Sequence, residues 1–199
     1  IMDILYHDTG QYVDVLNNAR RNDDVEVVHY ATTAMVELQK DYEDRLQALR
    51  RAWEEDKASQ SRSGAYLQTL EAYVDSGLLE GNMRRNRMLE LKELLTDRIS
   101  RGALAEADER SLYHRQFSNS LSLEEFGVSE ACAEHVMDRW PQLEDGYLMQ
   151  IQLGIRLRDP DRIGRMLELI EKRGIYLTPG ARKTVEFWKK DEDSHDIRE

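Results

Sequence analysis

The stretch VEVVHYATTAMVELQKDYEDRLQALRRAWEEDK, residues 25–57, reads as one long amphipathic helix. Val28, Ala31, Met35, Leu38, Tyr42, Leu49 and Trp53 follow one another at three, four or seven residues, the spacing of a heptad seam. Leu46 falls one position off that seam, where Arg45 takes the expected place. At about 1.5 Å per residue the helix extends roughly 50 Å. Its first half is apolar on more than one side, so burial between other helices is expected there, and its apolar surface also offers a homodimer seam. Its second half is charged apart from one stripe. Asn22-Asp23-Asp24 breaks the chain ahead of it and supplies an N-cap.

The pattern on either side is helical as well. Gln11 to Arg21 reads as a short helix with Tyr12, Val15, Leu16 and Ala19 on one face. Ser59-Gln60-Ser61-Arg62-Ser63-Gly64 reads as a linker, since small polar residues replace the periodic pattern. Ala65 to Ser76, ended by Gly77, and Asn82 to Ser100, ended by Gly102, make a helical hairpin. Helices are expected over about 104–120, 123–139, 142–157 and 163–172, with Pro141, Asp159-Pro160-Asp161 and Gly174 as breaks. Thr178-Pro179 starts a last helix to Lys190. The charged tail 191–199 is expected to be disordered. The fold expectation is therefore all-α, in two parts: residues 1–58 around the long helix, and residues 65–190 as helical hairpins with a C-terminal capping helix.

Composition narrows the function. Of 199 residues, 28 are basic and 39 acidic, for a net charge of −11. Such a chain repels phosphate backbones, so nucleic acid is not expected as a partner. No run of apolar residues approaches membrane-spanning length. The opening Ile1-Met2 suggests a fragment boundary just upstream, which leaves room for a membrane anchor ahead of it. The single cysteine, Cys132, excludes an internal disulfide and fits a reducing compartment.

The hairpins repeat. Tyr113 and Tyr147, Ala133 and Leu167, and Val136 and Ile170 each stand thirty-four residues apart, and an earlier copy begins at Tyr66 with Tyr73 after it. Tyr66, Tyr113 and Tyr147 as opening aromatics, Tyr73 as second aromatic and Pro141 as closing proline resemble the tetratricopeptide (TPR) family over residues 65–190. The sequence departs from that pattern where small residues are usual: Leu70, Phe117 and Ile151 stand in the first helices, and Asn82, Ser129 and Ile163 in the second. The resemblance implies a right-handed solenoid of degenerate TPR-like hairpins whose concave wall carries Leu67, Glu71, Val74, His114, Ser118, Leu148 and Gln152. The segment from Asp23 through Ala31 to Leu38 is similar to a HEAT-type helix. The run Val27 to Gln39, followed by a charged helix, degenerate repeats and a closing Leu177-Thr178-Pro179 helix, resembles the cytoplasmic region of the E subunit of Pel-type bacterial exopolysaccharide synthases. That resemblance implies a cytoplasmic domain of an inner-membrane protein. It also implies a scaffold gathering a cyclic-di-GMP-sensing membrane subunit and a cytosolic glycosyltransferase.

Catalytic chemistry is weakly signalled. His7, His29, His114, His135 and His195 form no metal-binding pair spacing. Cys132 and His135 share a helix face, yet a small buried core cysteine is the commoner use of that pattern. The carboxylates of the long helix interleave with Arg45, Arg50 and Arg51, which reads as a solvated, ion-paired face. No phosphate-cradling glycine loop occurs. Arg84, Arg85 and Arg87 form a local basic cluster at a helix start, suited to an acidic partner or a lipid headgroup and more simply read as a solvated first turn. No metal, no cofactor and no enzymatic activity are expected. The leading functional expectation is a protein–protein interaction scaffold. The alternative is a soluble helical-repeat regulator that senses a peptide or small ligand.

Overall fold

Asp24 starts the long helix in the way its position ahead of the valine run implies. In the computed structural model, which describes residues 9–102 and 105–195, its carboxylate accepts from the Glu26 backbone N–H at 2.8 Å. The described residues form nine helices and no strand. These are α1 (Thr9–Ala19), α2 (Val25–Glu55), α3 (Gln60–Asp75), α4 (Gly81–Arg101), α5 (Glu106–Ser122), α6 (Phe126–Arg139), α7 (Asp145–Leu157), α8 (Pro160–Arg173) and α9 (Pro179–His195). The long helix is continuous. Residues Ile1–Arg98 and Ile99–Glu199 form two compact units, so the boundary expected at 58–65 lies inside the first.

In the first unit α1 packs on α2 and α2 on α3. The stretch read as a linker is helical from Gln60. Ser59 caps it, accepting from the Arg62 N–H at 3.3 Å, and Ser63 is buried where its hydroxyl accepts from Arg98 at 2.9 Å. Small polar residues there serve as a cap and a close contact rather than a flexible joint. Tyr42 and Tyr73 stack with ring centroids 4.7 Å apart and are the aromatic centre of this unit, both essentially inaccessible. On α2 the buried positions are Ala31, Met35, Tyr42 and Leu46. Leu46, off the expected seam, is inside, while Leu49 and Trp53 are half-buried. Two steps of eleven residues (31 to 42, 35 to 46) follow the period of a straight helix, about 3.6, rather than the 3.5 of a supercoil. The first half is not buried all round: Val25, Tyr30 and Val36 are 80%, 72% and 57% exposed.

In the second unit α5 packs on α6, α6 on α7, α7 on α8 and α8 on α9. One apolar cluster joins Phe117 of α5 to Cys132, Ala133 and Val136 of α6 and to Met149 and Leu153 of α7. The next joins Tyr147 and Ile151 of α7 to Ile163, Met166, Leu167 and Ile170 of α8 and to Val185 of α9. The two recur in register. Leu112, Gln116, Phe117, Asn119, Ser120, Ser129, Cys132, Ala133 and Val136 are buried, and so are Gly146, Gln150, Ile151, Leu153, Gly154, Ile163, Met166, Leu167 and Ile170, each thirty-four residues on. The turns recur too. Glu124 and Arg158 both have positive φ, and after them the Glu125 and Asp159 N–H groups donate to Ser120 and Gly154 carbonyls, each at 2.9 Å. Glu106 accepts from the Trp140 indole and Glu144 from the Thr178 N–H, both at 2.6 Å and both across thirty-four residues. The last helix runs to His195, so the tail expected from 191 begins as helix; residues 196–199 lie outside the described residues.

Candidate interaction surface

The candidate positions of the second unit lie on its odd-numbered helices. His114 and Ser118 are on α5; Leu148 and Gln152, thirty-four residues on, are on α7. Ser118 and Gln152 are exposed, and His114 and Leu148 half-buried. Asp145, the first residue of α7, joins the two helices: its carboxylate meets His114 Nε2 at 2.8 Å and Arg110 at 3.6 Å. An acidic residue suits that helix start, where the free backbone N–H groups point outward. The stripe therefore presents a hydroxyl, an amide and an aliphatic side chain beside one carboxylate already held by two cationic or polar partners. That is a surface for hydrogen bonding and apolar contact.

In the first unit the candidate positions behave differently. Leu67 and Val74 of α3 are 2% and 4% exposed, so neither side chain is offered to a partner. Glu71 is half-buried. An opening aromatic at Tyr66 sets this assignment, and burial shows that the α3 face carrying Leu67 and Val74 is its core face.

Clefts open among the described residues of the first unit. One, of about 350 Å³, is lined by Glu43, Asp44, Gln47, Arg50, Tyr66, Arg87 and Glu90 over Leu46. Arg87 pairs with both Glu43 and Glu90, Glu90 also accepts from the Tyr66 hydroxyl, and Arg50 lies 3.7 Å from Glu90. Burial, reinforced by the Glu90 carboxylate, pushes the Tyr66 phenol above its usual range. Arg87, read from sequence as part of a solvated cluster, is thus the hub of an ion-paired network. Glu90 is a local partner three residues on, whereas Glu43 lies forty-four residues away, a separation that no local pattern reveals. The second cleft, of about 280 Å³, lies among Arg20, Met35, Val36, Leu78, Glu80 and Met83.

Other residues with chemical potential are engaged in packing. His135 stacks on Tyr113 with ring centroids 3.9 Å apart and reaches Glu109 at 3.4 Å. Cys132 is buried, and burial pushes its thiol up to about 11, away from the thiolate a nucleophile needs. Among the described residues no group of three or more His, Cys, Asp or Glu is placed to hold a metal ion.

Gly146 and Gly154 serve the packing though no motif marks them. A Cβ at Gly146 would stand 2.6 Å from Met137 Cα, and one at Gly154 would stand 2.9 Å from Ile163 Cγ1. These are the close helix crossings of the second unit, and a glycine inside a helical pattern was the available signal. Comparison with protein-family profiles, with curated proteins and with solved structures finds no match to this chain.

Proposed function

We propose that this chain is a non-catalytic scaffold whose second unit is a short array of TPR-like helical hairpins. The recurrence of buried positions at thirty-four residues from α5–α6 to α7–α8, with a left-handed residue at the same place in each turn, carries this reading. Arrays of this kind present a long wall and need no cofactor. Here the wall is the stripe of His114, Ser118, Leu148 and Gln152. The resemblance of residues 27–39 and of the closing helix to the Pel-type E subunit supplies the partners: a cyclic-di-GMP-sensing membrane subunit and a cytosolic glycosyltransferase, met at the cytoplasmic face of a bacterial inner membrane. No described helix is long and apolar enough to cross a membrane.

Co-purification of the full chain with those two proteins, co-expressed, tests the proposal. Both are expected to be retained, and Ser118→Glu with Gln152→Glu is expected to lower recovery about tenfold. These two side chains are exposed, so the melting temperature stays unchanged. Retention of neither partner, or retention unaffected by the paired variant, overturns it.

A further inference from the structure

The outward side of α2 carries a second, independent inference. Opposite the buried stripe, Glu26, His29, Thr33, Val36 and Lys40 succeed one another at steps of three and four, and all five are exposed. Tyr30 and Glu37 stand beside them, also exposed. This is a second contact stripe on a helix whose first stripe is already used, with Tyr30 and Val36 turned to water at 72% and 57% exposure. Among the described residues no ion pair engages Glu26, His29, Glu37 or Lys40.

We propose that α2 packs antiparallel against α2 of a second copy, about a two-fold axis at Thr33. That axis sets Thr33 against its own mate, Tyr30 against Val36, His29 against Glu37 and Glu26 against Lys40, each cross-pair occurring twice. A two-fold interface must be self-complementary, and this stripe is so in size and charge. Two other alignments fail on charge. A parallel pair sets Glu26 on Glu26 and Glu37 on Glu37. An antiparallel pair displaced one turn towards the C-terminus sets Glu37 on its own mate. Like charges in those positions select against both. The net charge of −11 resists association elsewhere on the surface, whereas this stripe brings Glu26 to Lys40 and Glu37 to His29.

Sedimentation of the full chain over a concentration series tests the pairing. A reversible dimer is expected. Glu26→Lys and Lys40→Glu, each alone, weaken it by about tenfold, and the two together restore it to within about threefold, because the pairs are re-formed with reversed sign. Cross-linking tests the direction in a Cys132→Ser background. Protein carrying Glu26→Cys, mixed with protein carrying Lys40→Cys under mild oxidation, forms a covalent dimer. Glu26→Cys alone forms none, since the two copies of residue 26 lie about 21 Å apart along the axis. A monomer at every concentration overturns the proposal, and so does a dimer indifferent to the charge reversals. Cross-linking of Glu26→Cys to itself, or none in the mixture, overturns the antiparallel register.

Discussion

Glu124 and Arg158, thirty-four residues apart, are the two non-glycine residues with positive φ among the described residues, at 63° and 55°. Each ends the first helix of a hairpin, and the residue after each closes the turn by donating to a carbonyl five residues back. A side chain in that left-handed region costs about 1 kcal/mol, which glycine does not incur. Arg158→Gly is therefore expected to stabilise the protein by about 0.5–1 kcal/mol, part of the gain being offset by the freer unfolded chain. Arg158→Val is expected to destabilise by about 1 kcal/mol or more, because a β-branched side chain is the least tolerant of that backbone. Urea denaturation of the two variants reads both signs, and a stabilising valine would refute the account of the turn.

The crossing of α6 and α7 depends on Gly146. An added Cβ would lie 2.6 Å from both the Met137 Cα and the Met137 nitrogen, which are backbone atoms with no room to swing away. Gly146→Ala is expected to cost about 1–3 kcal/mol, as overpacked cores do. Gly127, also in a helix of this unit, has nothing within 4 Å of the Cβ it would gain. Gly127→Ala is expected to leave stability unchanged or to raise it slightly. Equal melting temperatures for the two alanine variants would show that the crossing relaxes without strain.

The same contrast explains what could be read in advance. Helix number and class follow from periodicity, caps and breakers, all local: Asp24, Gly174 and Thr178-Pro179 each mark an end that the structure keeps, whereas Asp159-Pro160, read as a turn ahead of a helix at 163, caps and opens that helix. The thirty-four-residue spacing of Tyr113 and Tyr147 was legible for the same reason, since a repeated unit repeats its core positions. Leu46 lies off the heptad seam and is buried, because the helix runs straight and its core stripe follows a period nearer 3.6 than 3.5. Leu67 and Val74 face the core because the α3 stripe that carries Tyr66, Leu70 and Tyr73 is buried on both sides of those aromatics, and a single opening aromatic does not fix the phase of a hairpin. The ion-paired cleft was invisible because Glu43 and Arg87 are forty-four residues apart and meet only once three helices are packed.

Asp159 gives the second hairpin a pH dependence of known sign. Its carboxylate accepts from the Arg162 N–H at 2.9 Å, and that bond, with the Arg162 side chain behind it, holds the group below its ordinary value. A carboxylate depressed in the folded state contributes stability that is present above the unfolded value, about 3.9, and is lost as pH falls through the folded one. Asp159→Ala is expected to lower the melting temperature at pH 7, with the gap to the parent closing progressively below about pH 4. A gap of constant size from pH 7 to pH 2.5 would mean that the proline-led helix start, not the carboxylate, fixes this end of α8.

Cys132 offers a direct reading of how tightly α6 is held. It sits 5% exposed in the cluster with Phe117, Val136 and Leu153, and burial alone raises its thiol to about 11. At pH 8 a thiol with that value is thiolate about two hundred times less often than a free cysteine near 8.5, and only the thiolate attacks a disulfide reagent. Native protein is expected to react with an aromatic disulfide at least about a hundredfold more slowly than protein unfolded in urea. The cluster-loosening variant Leu153→Ala, which removes a side chain with no exposure, is expected to speed the native reaction by favouring local opening. Rapid native labelling in the parent protein would contradict the burial of α6. An unchanged rate in Leu153→Ala would place the opening that exposes Cys132 away from the α6–α7 contact.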